Sequence, residues 1–171
     1  MAKKKQELKT NAMRILEKMA IPYEMQSYEC DEFEDGGKVA DMLGLDHRLV
    51  YKTLVCRGAG KAASGGGAEY YVFVIPIDEE LDLKKAARSV GAKSVEMIHV
   101  KEIKDVTGYV RGGCTAIGMK RAYPVRIDQS AEGLPDMFVS AGKIGCQLKL
   151  KPEDLKMAGS AEWADLLRER G

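Results

Sequence analysis

YKTLVCRGAGKAASGGGAEYYVFVIPI, residues 51–77, contains the two segments from which the fold is read. Residues 51–56 (YKTLVC) and 70–77 (YYVFVIPI) are rich in β-branched and aromatic side chains, the composition of strands. Between them GAGKAASGGG, residues 58–67, places five glycines in ten positions. No Lys-Ser or Lys-Thr follows the glycines at the spacing of a Walker phosphate loop. The run is therefore read as a flexible link between neighbouring strands.

Upstream, Leu8, Ala12, Ile15, Leu16 and Met19 fall on one face at 3.6 residues per turn and predict a first helix. Pro22 stops it, because proline cannot continue the helical hydrogen-bond ladder. A strand is expected at 23–28. A short helix through Val39, Ala40 and Leu43 follows, capped by Asp35 and ended at Gly44. Downstream, Asp82 caps a helix over LKKAARSV, with Leu83, Ala86, Ala87 and Val90 on one face and Gly91 closing it. Further strands are expected at 94–97, 123–127, 137–140 and 146–150, with a short helix at 101–105. A closing helix is expected at 161–170, where Trp163, Leu166 and Leu167 form an apolar face. Strands and helices intermingle without regular βαβ alternation, which predicts a mixed, largely antiparallel curved sheet with helices around it. The chain, 1–171, is read as one domain.

The composition is that of a globular chain, 45% hydrophobic and 31% charged, with a formal net charge of +1. No run approaches the ~18 apolar residues of a membrane span. The N-terminus carries charge without the apolar stretch of a secretory signal. The layout of charge is uneven. Residues 1–18 carry six basic and two acidic groups, and 101–126 carry six basic and two acidic, each net +4. Residues 29–46 carry seven acids against Lys38, net −6. Such blocks make a basic face for a phosphate-rich ligand on a neutral molecule, or simply solvated surfaces.

Cys30, Cys56, Cys114 and Cys146 lie too far apart for a paired zinc site, and His47 and His99 are the only histidines. Reduced, mostly buried thiols in a cytoplasmic protein are expected, with no metal and no organic cofactor. Neither G-x-S-x-G nor another nucleophile elbow is present. His47, in LDHRLV, is assigned a capping or surface role, and the carboxylates of CDEFED a solvated loop. Two segments carry more. Lys52 sits mid-strand among apolar neighbours, opposite in face to Tyr51 and Thr53. It is either an edge-strand guard against aggregation or a lysine that reaches into a pocket to hold a phosphate or carbonyl oxygen. TGYVRGGCTAIG, residues 107–118, has four glycines in twelve, which lets backbone amides approach a ligand, with Arg111 and Lys120 beside it.

Taken in order, VYKTLV (50–55), LDLKKAARSVGAKSVEM (81–97), TGYVRGGCTAIGMK (107–120) and VSAGKIG (139–145) resemble the YbaK/EbsC family of aminoacyl-tRNA deacylases. That family is related to the editing domain inserted in some prolyl-tRNA synthetases, and the resemblance covers roughly residues 8–168. It implies a YbaK-like α/β domain, a mixed, largely antiparallel β-barrel surrounded by helices. It implies removal of cysteine from mischarged tRNA(Pro), and from Cys-tRNA(Cys) as a further substrate, with the 3′ end of aminoacyl-tRNA as partner. A transient complex with prolyl-tRNA synthetase is a further expectation; neither DNA nor membrane is.

The resemblance implies that Lys52 contacts the substrate's 3′ end and that the amides of Gly112 and Gly113 surround the ester. Tyr28, Thr53, Thr107, Tyr109, Cys114, Thr115, Ala116, Gly118, Ser140, Gly142 and Gln147 are its implied substrate-binding positions. Cys114 is read as a small pocket-lining thiol rather than a nucleophile. Two positions depart from the family pattern: Ala116 stands in place of a loop proline, and Gln147 where some members have an aspartate. Both bear on which amino acid is removed. An activated ester needs little more than positioning and oxyanion stabilisation, and the substrate's own thiol can attack it, so no triad is required. A deacylase for alanine on tRNA(Pro), which needs a positioned water, and a non-catalytic tRNA- or synthetase-binding module remain the alternatives.

Overall fold

The computed structural model describes residues 9–29, 36–59 and 70–169. The first helix, α1 (Asn11–Lys18), starts where the Thr10 side chain accepts the Met13 N–H. It buries Ala12, Met13 and Leu16 and turns out at Ala20, whose φ is +58°. β1 (Glu24–Ser27) and α2 (Gly36–Met42) follow, and Gly44 takes the left-handed conformation just beyond α2. The assigned cap Asp35, the CDEFED run and Cys30 lie outside the described residues. Asp46, rather than His47, caps the 3₁₀ turn His47–Leu49, its side chain accepting the Arg48 N–H.

β2 (Tyr51–Ala59) and β3 (Tyr70–Pro76) pair antiparallel from Tyr51↔Pro76 to Arg57↔Tyr70. The link between them runs through 60–69, outside the described residues, and Gly58 belongs to β2 itself. α3 (Leu83–Val90) has the reading expected of it: Asp82 accepts the Lys84 and Lys85 N–H groups, and Gly91, at φ +69°, ends it. β4 (Ser94–Met97), a 3₁₀ turn Val100–Glu102, α4 (Ile103–Thr107), β5 (Val125–Asp128), β6 (Met137–Ser140) and β7 (Cys146–Leu150) come next.

The end of the chain differs from expectation. Residues 152–158 form α5 (Pro152–Ala158), with proline in its first turn and Glu153 and Asp154 beside it, as helix N-termini favour. Ala161–Ala164 is a strand, β8, parallel to β5. The expected helix at 161–170 is absent from its described part. Apolar residues at 163, 166 and 167 serve an extended segment as well. Leu166 is buried with its N–H on Asp128 Oδ1 at 3.0 Å, and Leu167 bridges Leu81.

The ladders make two sheets, β1-β7-β6 and β4-β2-β3-β5-β8. Four strand pairs are antiparallel and two, β3–β5 and β5–β8, parallel, so the mixed and largely antiparallel character holds among the described residues. The barrel does not: the sheets stay separate, meeting at one bridge, Val50↔Phe138. β3 explains the packing. Its Val72 and Val74 face a core shared with α1 and the three-stranded sheet, while Tyr71, Phe73 and Ile75 face a second core against α3. A strand covered on both faces is apolar throughout, as YYVFVIP is. Among the described residues, no helix is long and apolar enough to cross a membrane.

Candidate active site

β2 is a paired inner strand of its sheet, and it is used unevenly on its second side. β4 pairs only with Cys56–Ala59, and among the described residues β6 makes one backbone bridge on that side, at Val50 just before β2. Between those contacts the second edge of β2 is released, and a cavity of about 360 Å³ occupies the gap. Residues 50–55 line it together with Tyr28 after β1, Val39 of α2, Ser140 of β6 and Gln147 of β7. Arg111, Gly112 and Cys114 enter from the loop after α4. Lys52 is therefore not a guard on a sheet's outer edge. Its half-buried ammonium group donates to the Ile77 carbonyl at 3.2 Å, at the wall of the cavity.

The glycine-rich loop is shaped by contacts close in sequence. Gly108, at φ +84°, ends α4. The Thr107 hydroxyl donates to Ile103 O at 2.7 Å and accepts the Tyr109 N–H at 3.0 Å. The buried Tyr109 hydroxyl donates to Ile117 O at 2.7 Å and so closes the loop from 109 to 117. Burial pushes that phenol up to about 12. The loop is also tied from outside. Asn11 Nδ2 donates to Gly118 O at 2.7 Å, and Thr10 Oγ1 donates to Ala141 O at 2.6 Å, so the start of α1 holds both glycine-bearing loops. The Ser140 hydroxyl joins the two loops directly, donating to Gly112 O at 3.2 Å.

Seven of the sequence-predicted residues line the cavity: Tyr28, Lys52, Thr53, Gly112, Cys114, Ser140 and Gln147. The others stand behind it. Gly113 spends its N–H on Val110 O at 3.0 Å, inside the loop's own turn, leaving Gly112 as the glycine of the pair at the cavity wall. Thr107, Tyr109 and Gly118 frame the loop, and Gly142, at φ +102°, packs on Tyr109 and Thr10. Thr115 is fully buried, and Ala116 is buried near Gly159 at the end of α5 rather than in the cavity lining. Burial raises the Cys114 thiol to about 11, partly opposed by the Thr107 hydroxyl, so it is a poor source of thiolate near neutral pH. Gln147 is nine-tenths buried, and its Oε1, like that of its cross-strand neighbour Gln26, has no hydrogen-bond partner among the described residues.

Sequence reading missed the apolar wall. Val39, Val50, Leu54, Ile77, Ile98 and Ile103 line the cavity, and Met97 and Val100 stand at it 46% and 52% exposed. Nothing in their local sequence separates them from ordinary core residues; exposed apolar side chains beside a cavity are recognised only once the strands are placed. Arg111, the charge beside the glycine loop, also lines the cavity. Among the described residues, no cluster of three or more His, Cys, Asp or Glu could hold a metal ion.

Comparison with known proteins adds to this geometry. The profile of the aminoacyl-tRNA editing domain matches residues 33–158. EbsC of Enterococcus faecalis, a proposed Cys-tRNA(Pro)/Cys-tRNA(Cys) deacylase, is 41% identical over 169 residues, covering 97% of this chain and 98% of that protein. The crystal structure of a proposed trans-editing enzyme for prolyl-tRNA synthetase superposes with a TM-score of 0.77 at 23% identity, over 95% of this chain and 100% of that one. A hypothetical protein superposes with a TM-score of 0.78 at 19% identity, over 93% of this chain and 100% of its own. At these identities the two structures speak for the fold. The profile match, over most of the chain, and the near full-length relative together establish that this chain belongs to the aminoacyl-tRNA editing domain family.

Proposed function

We propose that this protein is an aminoacyl-tRNA deacylase, the whole chain acting as one editing domain that removes cysteine wrongly attached to tRNA(Pro). The observation that carries the reading is the convergence of Lys52, Gly112, Ser140 and Gln147, from four separate segments, on one cavity. Its volume of about 360 Å³ lies within the range of small-ligand sites, roughly 300–1,000 Å³. The 41% identical relative supports cysteine as the amino acid and tRNA(Pro) as a carrier.

The chemistry needs no enzyme nucleophile. The substrate's cysteine thiol loses its proton and its sulfur forms a bond to the ester carbonyl carbon. The bond to the ribose oxygen breaks, and that oxygen takes a proton as tRNA leaves with a four-membered thiolactone remaining. Lys52 offers an ammonium group to the ester or the adjoining phosphate, and Gly112 a backbone amide to the developing oxyanion. Cys114, kept protonated, shapes the space for the side chain. Gln147 offers a neutral acceptor to the amino group, where a carboxylate would add charge.

A net charge of +1 gives modest, salt-sensitive attraction to tRNA. A transient complex with prolyl-tRNA synthetase in the cytoplasm would supply the remaining tRNA selectivity. The test is release of labelled cysteine from Cys-tRNA(Pro) by wild type and by Lys52→Ala, with alanyl-tRNA(Pro) alongside. Fast release by wild type and its collapse in the variant are expected. Turnover of the alanyl ester alone would overturn the choice of amino acid, and binding without turnover of either would overturn the enzyme.

A further inference from the structure

The β2–β3 ladder has a fixed phase. The Ile77 N–H donates to Val50 O at 3.0 Å, so Val50 and Ile77 face each other as a hydrogen-bonded pair. Hydrogen-bonded pairs recur every second residue in an antiparallel ladder, which makes Lys52–Ile75 and Leu54–Phe73 the next two. Tyr51, Thr53 and Val55 then turn their N–H and C=O groups to the other side of β2. Val55 shows this directly, its carbonyl accepting the Ile98 N–H at 3.2 Å. Near Tyr51, β6 makes its single bridge at Val50. Thr53 lies between. On that side β4 pairs only from Cys56 onward, β6 makes no bridge beyond Val50 among the described residues, and Thr53 lines the cavity.

We infer that the main chain of Thr53 is an unfilled rung of the sheet, which the aminoacyl ester itself fills, pairing with it as a one-residue strand. An α-amino ester in extended form carries its amine and its carbonyl oxygen on one edge, as any strand residue carries its N–H and C=O. The amine donates to the Thr53 carbonyl, and the ester carbonyl accepts the Thr53 N–H. One residue thereby recognises the part shared by all aminoacyl esters, while the cavity walls read the side chain. It also aims a fixed backbone donor at the oxygen that gains charge when the ester is attacked. The inference rests on the aminoacyl-ester reading of the cavity and specifies how the ester is held.

Amide hydrogen exchange by NMR tests it, on the full chain with and without a 3′-aminoacylamino-3′-deoxyadenosine, an amide-linked analogue that is not cleaved. In the free protein the Thr53 amide should exchange at least about tenfold faster than those of Lys52 and Leu54, which are held in the ladder. Saturating analogue should slow Thr53 exchange by at least about tenfold, the worth of one hydrogen bond of ordinary strength. A Thr53 amide already as protected as its neighbours would overturn the inference. So would analogue binding that shifts Gly112 and Cys114 but leaves Thr53 exchange unchanged, with the aminoacyl reading intact. No response at any cavity amide would overturn the aminoacyl reading, and the rung's assignment with it.

Discussion

Gly113 and Lys143 meet backbone to backbone: a Cβ built on Gly113 would lie 2.8 Å from the Cα of Lys143. The loop that carries Gly112 and Cys114 and the turn that follows Ser140 thus press together with no room for a side chain. Gly113→Ala must push one of them away, and its obstacle is main chain rather than a flexible side-chain tip. We expect a loss of about 1–3 kcal/mol of stability, the usual cost of overpacking, together with lower deacylation. Urea unfolding and ester release measured on the same variant check both.

Lys52 is expected to matter for rate and little for folding. Among the described residues its ammonium group has one acceptor, the Ile77 carbonyl, and the residue is only half-buried. Lys52→Ala should lower ester cleavage by about 10²-fold or more, the scale for loss of an electrostatic stabiliser. Its unfolding midpoint should stay near that of wild type. A large fall in the midpoint would instead make Lys52 a structural residue.

Cys114 should resist alkylation in the native protein. Burial holds its thiol near 11, which leaves almost no thiolate at pH 7.5. Iodoacetamide followed by peptide mass spectrometry should find Cys114 unmodified before unfolding and modified after it. Rapid native labelling would show an accessible thiolate and return Cys114 to candidacy as a nucleophile.

His47 should give stability a pH dependence. Its Nε2 lies 2.7 Å from Asp41 Oδ1 and its Nδ1 lies 2.8 Å from Asp78 Oδ2, so both nitrogens donate only when the ring is protonated. Asp41 first and Asp78 second raise its pKa above the ordinary 6.5, against a smaller opposing effect of desolvation. A raised folded-state value means the stabilisation is full below 6.5 and is lost as pH rises through the folded-state pKa. Because Asp41 belongs to α2, which helps wall the cavity through Val39, the clamp bears on the site as well. Urea midpoints from pH 6 to 9 should fall more for wild type than for His47→Gln, and the difference should shrink in high salt.

Elements signalled by chemistry within a few residues were legible. Asp82 and Gly91 bracket α3 because a carboxylate can accept amides two and three residues on, and glycine tolerates a φ of +69°. β2, β3, β4, β6 and β7 announced themselves by composition. The segment 161–170 did not, since Trp163, Leu166 and Leu167 suit a helix face and a strand followed by an extended run alike. β5 decided between them by offering a parallel partner at 161–164. α5 carried a readable signal, proline followed by two acids, that the longer apolar pattern after it overshadowed.

By itself the sequence determined α1, α3 and most of the strands, the absence of a hydrolytic triad motif, and the set of segments that mark the family. Those rest on local periodicity, capping and residue type, all written within short spans. Tertiary structure alone decided that the sheets stay open rather than close into a barrel. It also decided that Gly113's amide is spent on Val110 and that apolar residues such as Val39 and Ile98 wall the site. Above all, it decided that, among the described residues, no strand pairs with the second side of β2 at Thr53. Each of these depends on which strands pair, in what register, and where the pairing ends. Such pairings join segments tens of residues apart, and the energy that selects them comes from burying both faces of the sheet at once rather than from any one stretch of chain.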